Sequence, residues 1–165
     1  MIVLGYVGNH AQDTLAVRAG WAITRLVQRG EFAKVTHVEA CFGFTETGCA
    51  HIGSASLRDG GVRPKKVYLK NENWVAIDVP TWDADKSRIF IEEHTGELYD
   101  TRGAVATALL GTQDEDRWFC NEIVGASVGL LSPHIFGPAQ FMAIAASMPG
   151  ARIVDLPIHD VADVV

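Results

Sequence analysis

Three residues of the 165-residue chain have the types and spacing needed for nucleophilic catalysis: Cys120, His37 and Glu39. Cys120 lies at the predicted start of a helix, where unpaired backbone amides and the helix dipole favour the thiolate form of a cysteine. A thiolate nucleophile needs a base, and His37 lies in a segment rich in strand-forming residues. Residues two apart on a strand share a face, so Glu39 is expected to orient the His37 ring or to stabilise its positive charge. The pattern predicts an accessible, reactive thiol with a histidine base.

Each of these residues also has a structural interpretation. Free cysteines often fill protein cores, and a His-x-Glu pair is common on the wet face of a sheet. Tyr99 and Asp100, just before a predicted helix, are candidates for substrate binding, with the phenol as an oxyanion donor or pocket wall. A strand-end tyrosine and a helix-capping aspartate explain that pair equally well. The loop formed by Gly60, Gly61 and Arg63 could bind a carboxylate, or it could be only a glycine turn that leads into a strand.

The register of one predicted hairpin decides which side chains accompany His37. A two-residue turn at Glu46 and Thr47 sets Glu39 opposite Ser54. The same turn sets His37 opposite Ser56, so that hydroxyl groups line the catalytic face. Ser54 and Ser56 are therefore predicted to contribute to substrate binding.

A zinc site is the main chemical alternative. Five ligand-type residues fall close together in the sequence: His37, Glu39, Cys41, Cys49 and His51. They suit zinc chemically, but they include no CxxC or HxxxH pair, and Cys120 has no role among them. A hairpin register shifted by one residue would bring His51 and Cys49 onto the face of His37 and would favour this site, or His51 as a third catalytic residue. A non-catalytic binding or virion-associated module on the same fold is a further alternative.

The elements that must position these residues indicate an α+β fold with about four to six antiparallel strands packed against helices. Strands are predicted over residues 1–7, 34–44, 49–57, 67–69, 74–79 and 152–156. Helices are predicted over 13–29, 83–93 and 101–110, and from residues 120 and 138 onward.

Composition narrows the function classes. A chain of this length can bury about 70% of its unfolded surface, so we expect one domain over residues 1–165. The net charge of -6 and the absence of a basic run argue against a nucleic-acid partner. Three cysteines are too few for a disulfide scaffold, and no apolar stretch reaches the ~18 residues that a membrane span requires. These features predict a cytoplasmic protein without a transmembrane segment, and they leave its oligomeric state open.

The combined motifs resemble the circularly permuted papain-like cysteine peptidases, an NlpC-related group that includes YiiX-like proteins and lecithin retinol acyltransferase relatives. The motifs are Thr-His-Val-Glu around His37, Tyr-Asp at 99–100, Trp-Phe-Cys-Asn-Glu around Cys120 and Leu-Ser-Pro at 131–133. The resemblance runs over most of residues 20–148, and Asn121 stands where YiiX-like proteins usually have serine. In that group, as here, the histidine strand precedes the cysteine helix.

The resemblance implies a papain-like domain in permuted order. It also implies that Cys120 is the nucleophile and His37 the general base of an amide or ester hydrolase. The group uses a third polar residue to orient the histidine, and the candidates are Glu39, Ser54, Ser56 and His51. The expected substrate is a small peptide, an amide or a lipid ester, with no metal and no cofactor required.

Overall fold

The computed structural model describes residues 1–8, 18, 22, 30–106 and 116–157. These residues form a mixed α+β structure with one curled sheet, which confirms the predicted fold class. The strands are β1 (Ile2–Tyr6), β2 (His37–Phe44), β3 (Ala50–Ser56), β4 (Gly61–Val67), β5 (Trp74–Asp78), β6 (Leu98–Tyr99), β7 (Arg117–Trp118) and β8 (Arg152–Val154). The α-helices are α1 (Ala84–Glu93), α2 (Thr101–Ala106), α3 (Cys120–Ser127) and α4 (Pro138–Ser147), and short 3₁₀ helices cover Asn71–Asn73 and Pro133–Ile135.

The sheet is larger than the sequence predicts. Its order is β7-β6-β4-β3-β2-β1-β5-β8, and these eight strands correct the prediction of four to six. All neighbouring pairs are antiparallel except β6 with β7. The strands that the sequence analysis missed, β6 and β7, have two residues each, which is too short to produce an alternating pattern.

The β2–β3 hairpin keeps the predicted register at Ala40 and Cys41 but not nearer its turn. Ala40 pairs with Gly53, in line with the prediction, whereas Gly43 pairs with His51, one residue out of step. The turn is longer than predicted, because Thr45 still pairs with Cys49 through a 2.9 Å backbone hydrogen bond. A bulge between positions 41 and 43 absorbs the extra residue, so the predicted two-residue turn is wrong, while Ala40 and Cys41 pair as that register predicts.

The strand predicted over 67–69 is wrong apart from Val67. Strand β4 instead covers Gly61–Val67 and pairs with β3 along its length. Pairing with β3 outweighs the weak strand preference of the Arg-Pro-Lys-Lys stretch. Gly61 is required at the start, because a Cβ there would lie 2.0 Å from the Glu97 carbonyl oxygen. Arg63 therefore belongs to the sheet.

Helix α3 is held against β2 and β3 by the main hydrophobic core. Val38 and Ala40 of β2, Ile123 and Val124 of α3, and Phe141 of α4 are all fully buried in it. Each large aliphatic side chain of this kind stabilises the fold by about 1.5–3 kcal/mol relative to exposure. This packing brings the first residue of α3 close to the strand that carries His37.

Two helix predictions extend outside the described residues. The segment 13–29 lies outside them except for positions 18 and 22. Of the segment 101–110, residues 101–106 form α2, and 107–110 lie outside the described residues. Within the described ranges, no helix has the length and apolar character needed to cross a membrane.

Candidate active site

Cys120 is the first residue of α3, as predicted. Phe119 before it has an extended backbone, and its amide donates to Oε2 of Glu122 at 3.3 Å, which caps the helix. Cys120 therefore lies in the first helical turn, beside backbone amides that carry partial positive charge. Only 4% of the residue is exposed, so the thiol is more deeply buried than the predicted accessible nucleophile.

Two polar side chains fix the start of α3. The hydroxyl of Ser54 lies 2.7 Å from the Val38 carbonyl oxygen on β2 and 3.2 Å from the Cys120 carbonyl oxygen. A hydroxyl has one proton to donate, so these two carbonyl oxygens share it. Asn121 donates from Nδ2 to the Phe136 carbonyl at 2.6 Å, and its Oδ1 lies 3.7 Å from the Cys120 Sγ. Ser54 and Asn121 are fully buried. Ser54 therefore joins α3 to the sheet instead of facing a substrate.

His37, the first residue of β2, links the thiol to a carboxylate. Its Nε2 lies 2.8 Å from Oε1 of Glu39, and a second side-chain hydrogen bond joins the ring to Cys120. Burial lowers the pKa of His37, but the Cys120 thiolate and the Glu39 carboxylate outweigh it and raise that pKa to about 9. The imidazole is therefore positively charged at neutral pH. About 13% of its side chain remains exposed.

Glu39 is held by an arginine. Arg63 on β4 donates from Nη1 to Oε2 of Glu39 at 2.9 Å and from Nη2 to Oε1 at 2.7 Å. Only 2% of Glu39 is exposed, and burial raises the pKa of its carboxyl group, but His37 and Arg63 together lower that pKa to about 2. Glu39 is thus ionised at neutral pH, with both oxygens fixed by hydrogen bonds.

The ion pairs continue from Arg63 toward the surface. Its Nε donates to Oδ2 of Asp59, which also accepts from Nζ of Lys65 at 3.0 Å. The sequence predicts a loop at Arg63 and gives it no partner within the protein. The β3–β4 register sets Arg63 opposite Ser54, and the predicted β2–β3 register sets Ser54 opposite Glu39. The two registers together place Arg63 beside Glu39, so the strand pairing is the feature from which this contact could be predicted once β4 is known.

The other predicted binding residues differ in their surroundings. Tyr99 on β6 is partly exposed, and burial together with the charges of Cys120, Asp100 and Glu122 raises its pKa. Asp100 is buried, and its Oδ1 accepts from the Gly103 amide at 2.7 Å, so it caps α2. Ser56 accepts from the Asp59 amide at 3.4 Å. Tyr99 is therefore the member of this set that is best placed to meet a substrate.

The alternative zinc residues are engaged in other ways. Glu39 is bound by Arg63, and a guanidinium there competes directly with a cation. Cys41 is buried, which raises the pKa of its thiol to about 11, and its Sγ lies 3.7 Å from the Gly43 carbonyl. His51 lies opposite Gly43 at the bulge. Among the residues that the structure describes, no three His, Cys, Asp or Glu side chains gather as they would around a metal ion.

A thiol, an imidazole and a carboxylate are thus joined in series. This order matches a nucleophile, its base and the group that orients the base. The start of α3 positions the thiol, and the buried ion pair with Arg63 positions the carboxylate and the imidazole. Comparison of the chain with protein-family models, with curated proteins and with solved structures found no match.

Proposed function

We propose that the protein is a cysteine hydrolase that cleaves an amide or ester bond. The observation that carries this proposal is the contact series from Cys120 through His37 to Glu39, with Nε2 of His37 at 2.8 Å from Oε1 of Glu39. In such a series the imidazolium stabilises the thiolate form, which is the form that acts as nucleophile. Glu39 is the third residue of this site in our proposal, in preference to the serine candidates, since it contacts the ring directly.

The reaction then follows in two halves. The Cys120 thiolate attacks the substrate carbonyl, and the backbone amide of Cys120 donates to the oxyanion. The His37 imidazolium gives its proton to the leaving amine or alcohol as the carbonyl–heteroatom bond breaks, which leaves a thioester on Cys120. Neutral His37 next removes a proton from water, the resulting hydroxide attacks the thioester, and the acid product departs as the thiolate re-forms.

We further propose that the domain is papain-like with a permuted element order, and the order of its strands and helices supports this. A strand with the histidine comes first in the chain, and the helix with the cysteine packs on it later. The proposed substrates remain a small peptide, an amide or a lipid ester, because a nucleophile and its base do not fix the binding pocket.

Hydrolysis of p-nitrophenyl acetate tests the proposal with a small activated ester. We expect wild-type turnover with an acetyl group on Cys120, detectable by mass spectrometry, and loss of turnover in Cys120→Ala and His37→Ala. Cys49→Ser provides the matched control and should retain turnover. If Cys120→Ala hydrolyses the ester at the wild-type rate, the proposal fails.

A further inference from the structure

The Arg63–Glu39 contact is bidentate. Nη1 of the guanidinium donates to Oε2 of Glu39 at 2.9 Å and Nη2 donates to Oε1 at 2.7 Å, and Nη1 also lies 3.2 Å from the Ser54 carbonyl. Two parallel hydrogen bonds fix the orientation of a carboxylate as well as its charge. Oε1 of Glu39, which Arg63 holds, is the same atom that meets Nε2 of His37.

We infer that Arg63 is a positioning residue of the proposed hydrolase, which orients the Glu39 carboxylate toward His37 and balances its charge inside the protein. This inference rests on the proposed function of Cys120 and His37. Arg63 does not contact the thiol in this assignment. It acts through Glu39, and Glu39 acts through the imidazole ring.

The charge balance explains why a neutral residue at position 63 would alter the site. The groups that act on the imidazole are Glu39 on β2 and Cys120 on α3. Arg63 on β4 contacts Glu39, and Asp59 before β4 contacts Arg63. On the side of the thiol, Cys120, Asp100 and Glu122 act on Tyr99 of β6. Most of these groups are acidic, and Arg63 and the His37 imidazolium both contact Glu39 directly. Removing Arg63 leaves more negative charge, which raises the proton affinity of every acidic group nearby.

A purely structural ion pair makes a different prediction. If Arg63 only joins β4 to β2, its loss lowers stability and raises the pKa of Glu39 through the lost charge alone. A lysine at position 63 keeps that charge and should then leave the alkylation rate of Cys120 unchanged. If Arg63 also orients Glu39, the lysine variant should alkylate more slowly. The rate in the charge-retaining variant therefore separates the two roles.

The test compares Arg63→Gln with Lys65→Gln. Both variants remove one positive charge from β4, but Lys65 binds Asp59 and not Glu39. The first readout is the rate of Cys120 alkylation by iodoacetamide against pH, mapped by mass spectrometry. The second is the titration of the Glu39 carboxyl carbon by NMR. In Arg63→Gln we expect the pH at which alkylation reaches half its maximal rate to rise by about one unit. The pH at which Glu39 is half protonated should rise by about the same amount. Both changes should be much smaller in Lys65→Gln.

Arg63→Lys separates orientation from charge and extends the test to a milder variant if the glutamine variant fails to fold. A lysine keeps the charge but cannot bind both oxygens in parallel, so the midpoint should stay near that of wild type while the maximal alkylation rate falls severalfold. A wild-type rate in Arg63→Lys, an unmoved Glu39 midpoint in Arg63→Gln, or equal shifts in the two glutamine variants would overturn the inference.

Failure of the proposed function gives a separate result. If His37→Ala alkylates at the wild-type rate, Cys120 and His37 are not a functional pair, whatever the Arg63 variants do. If His37→Ala is slow but Arg63→Gln follows the wild-type profile, the pair stands and the role of Arg63 falls.

Discussion

Replacing Glu39 with glutamine keeps the side-chain shape but removes the charge that both His37 and Arg63 bind. The pKa of Glu39 is lowered from 4.5 to about 2, and one pKa unit corresponds to about 1.4 kcal/mol. Ionised Glu39 therefore stabilises the fold by about 3 kcal/mol at neutral pH, close to the usual cost of breaking a buried ion pair, about 3–5 kcal/mol. We expect Glu39→Gln to lower the free energy of unfolding at pH 7 by about this amount in urea titrations.

The pH dependence of this loss follows from the direction of the pKa shift. Because the pKa is lower in the folded state, the contribution of Glu39 is complete above about 4.5 and is lost as the pH falls toward 2. The stability difference between wild type and Glu39→Gln should shrink by about half at pH 3. Asp78→Asn, which removes a carboxylate paired with the exposed Arg152, should cost no more than about 1 kcal/mol. A loss at pH 7 no larger than that of this control, or a pH-independent difference, would refute the reasoning.

Two further predictions concern residues near the site. Iodoacetamide at pH 8 should label Cys41 far more slowly than Cys49, because burial raises the pKa of the Cys41 thiol to about 11; equal labelling by mass spectrometry contradicts this. Gly103→Ala should destabilise the protein by about 1–2 kcal/mol in urea, since its Cβ would lie 2.0 Å from Oδ2 of Asp100 and break the cap of α2. An unchanged unfolding midpoint would show that the cap contributes nothing.

Features encoded by nearby residues could be predicted from the sequence. The starts of α3 and α4, at Cys120 and Pro138, follow from helical spacing of apolar residues and from Pro at a first helical position. The pairing of His37 with Glu39 follows from the two-residue repeat of a strand. These local signals predict the helix start at Cys120 and the His37–Glu39 pair, whereas joining Cys120 to His37 depended on the need of a thiolate for a base and on the family resemblance.

Features that depend on distant pairing could not be predicted in this way. Arg63 meets Glu39 only because β3 lies between their strands in one register, and the Arg-Pro-Lys-Lys stretch has no strand pattern of its own. The bulge that compensates for the longer turn contains Gly43, and a glycine within a strand signals a bulge without showing which register follows from it; here the bulge sets His51 opposite Gly43. The role of Asp100 could not be predicted from its residue type, since a carboxylate at that position suits a binding site as well as a helix cap.

Titration of the His37 imidazole by NMR tests the central claim, that Cys120 and His37 form a thiolate–imidazolium pair. The account predicts a midpoint near pH 9 in the wild-type protein, well above the ordinary histidine value of 6.5. Cys120→Ala should lower that midpoint, because it removes the thiolate charge, whereas the matched Cys41→Ala variant should leave it unchanged. A wild-type midpoint near 6.5, or one that Cys120→Ala does not move, would contradict the account.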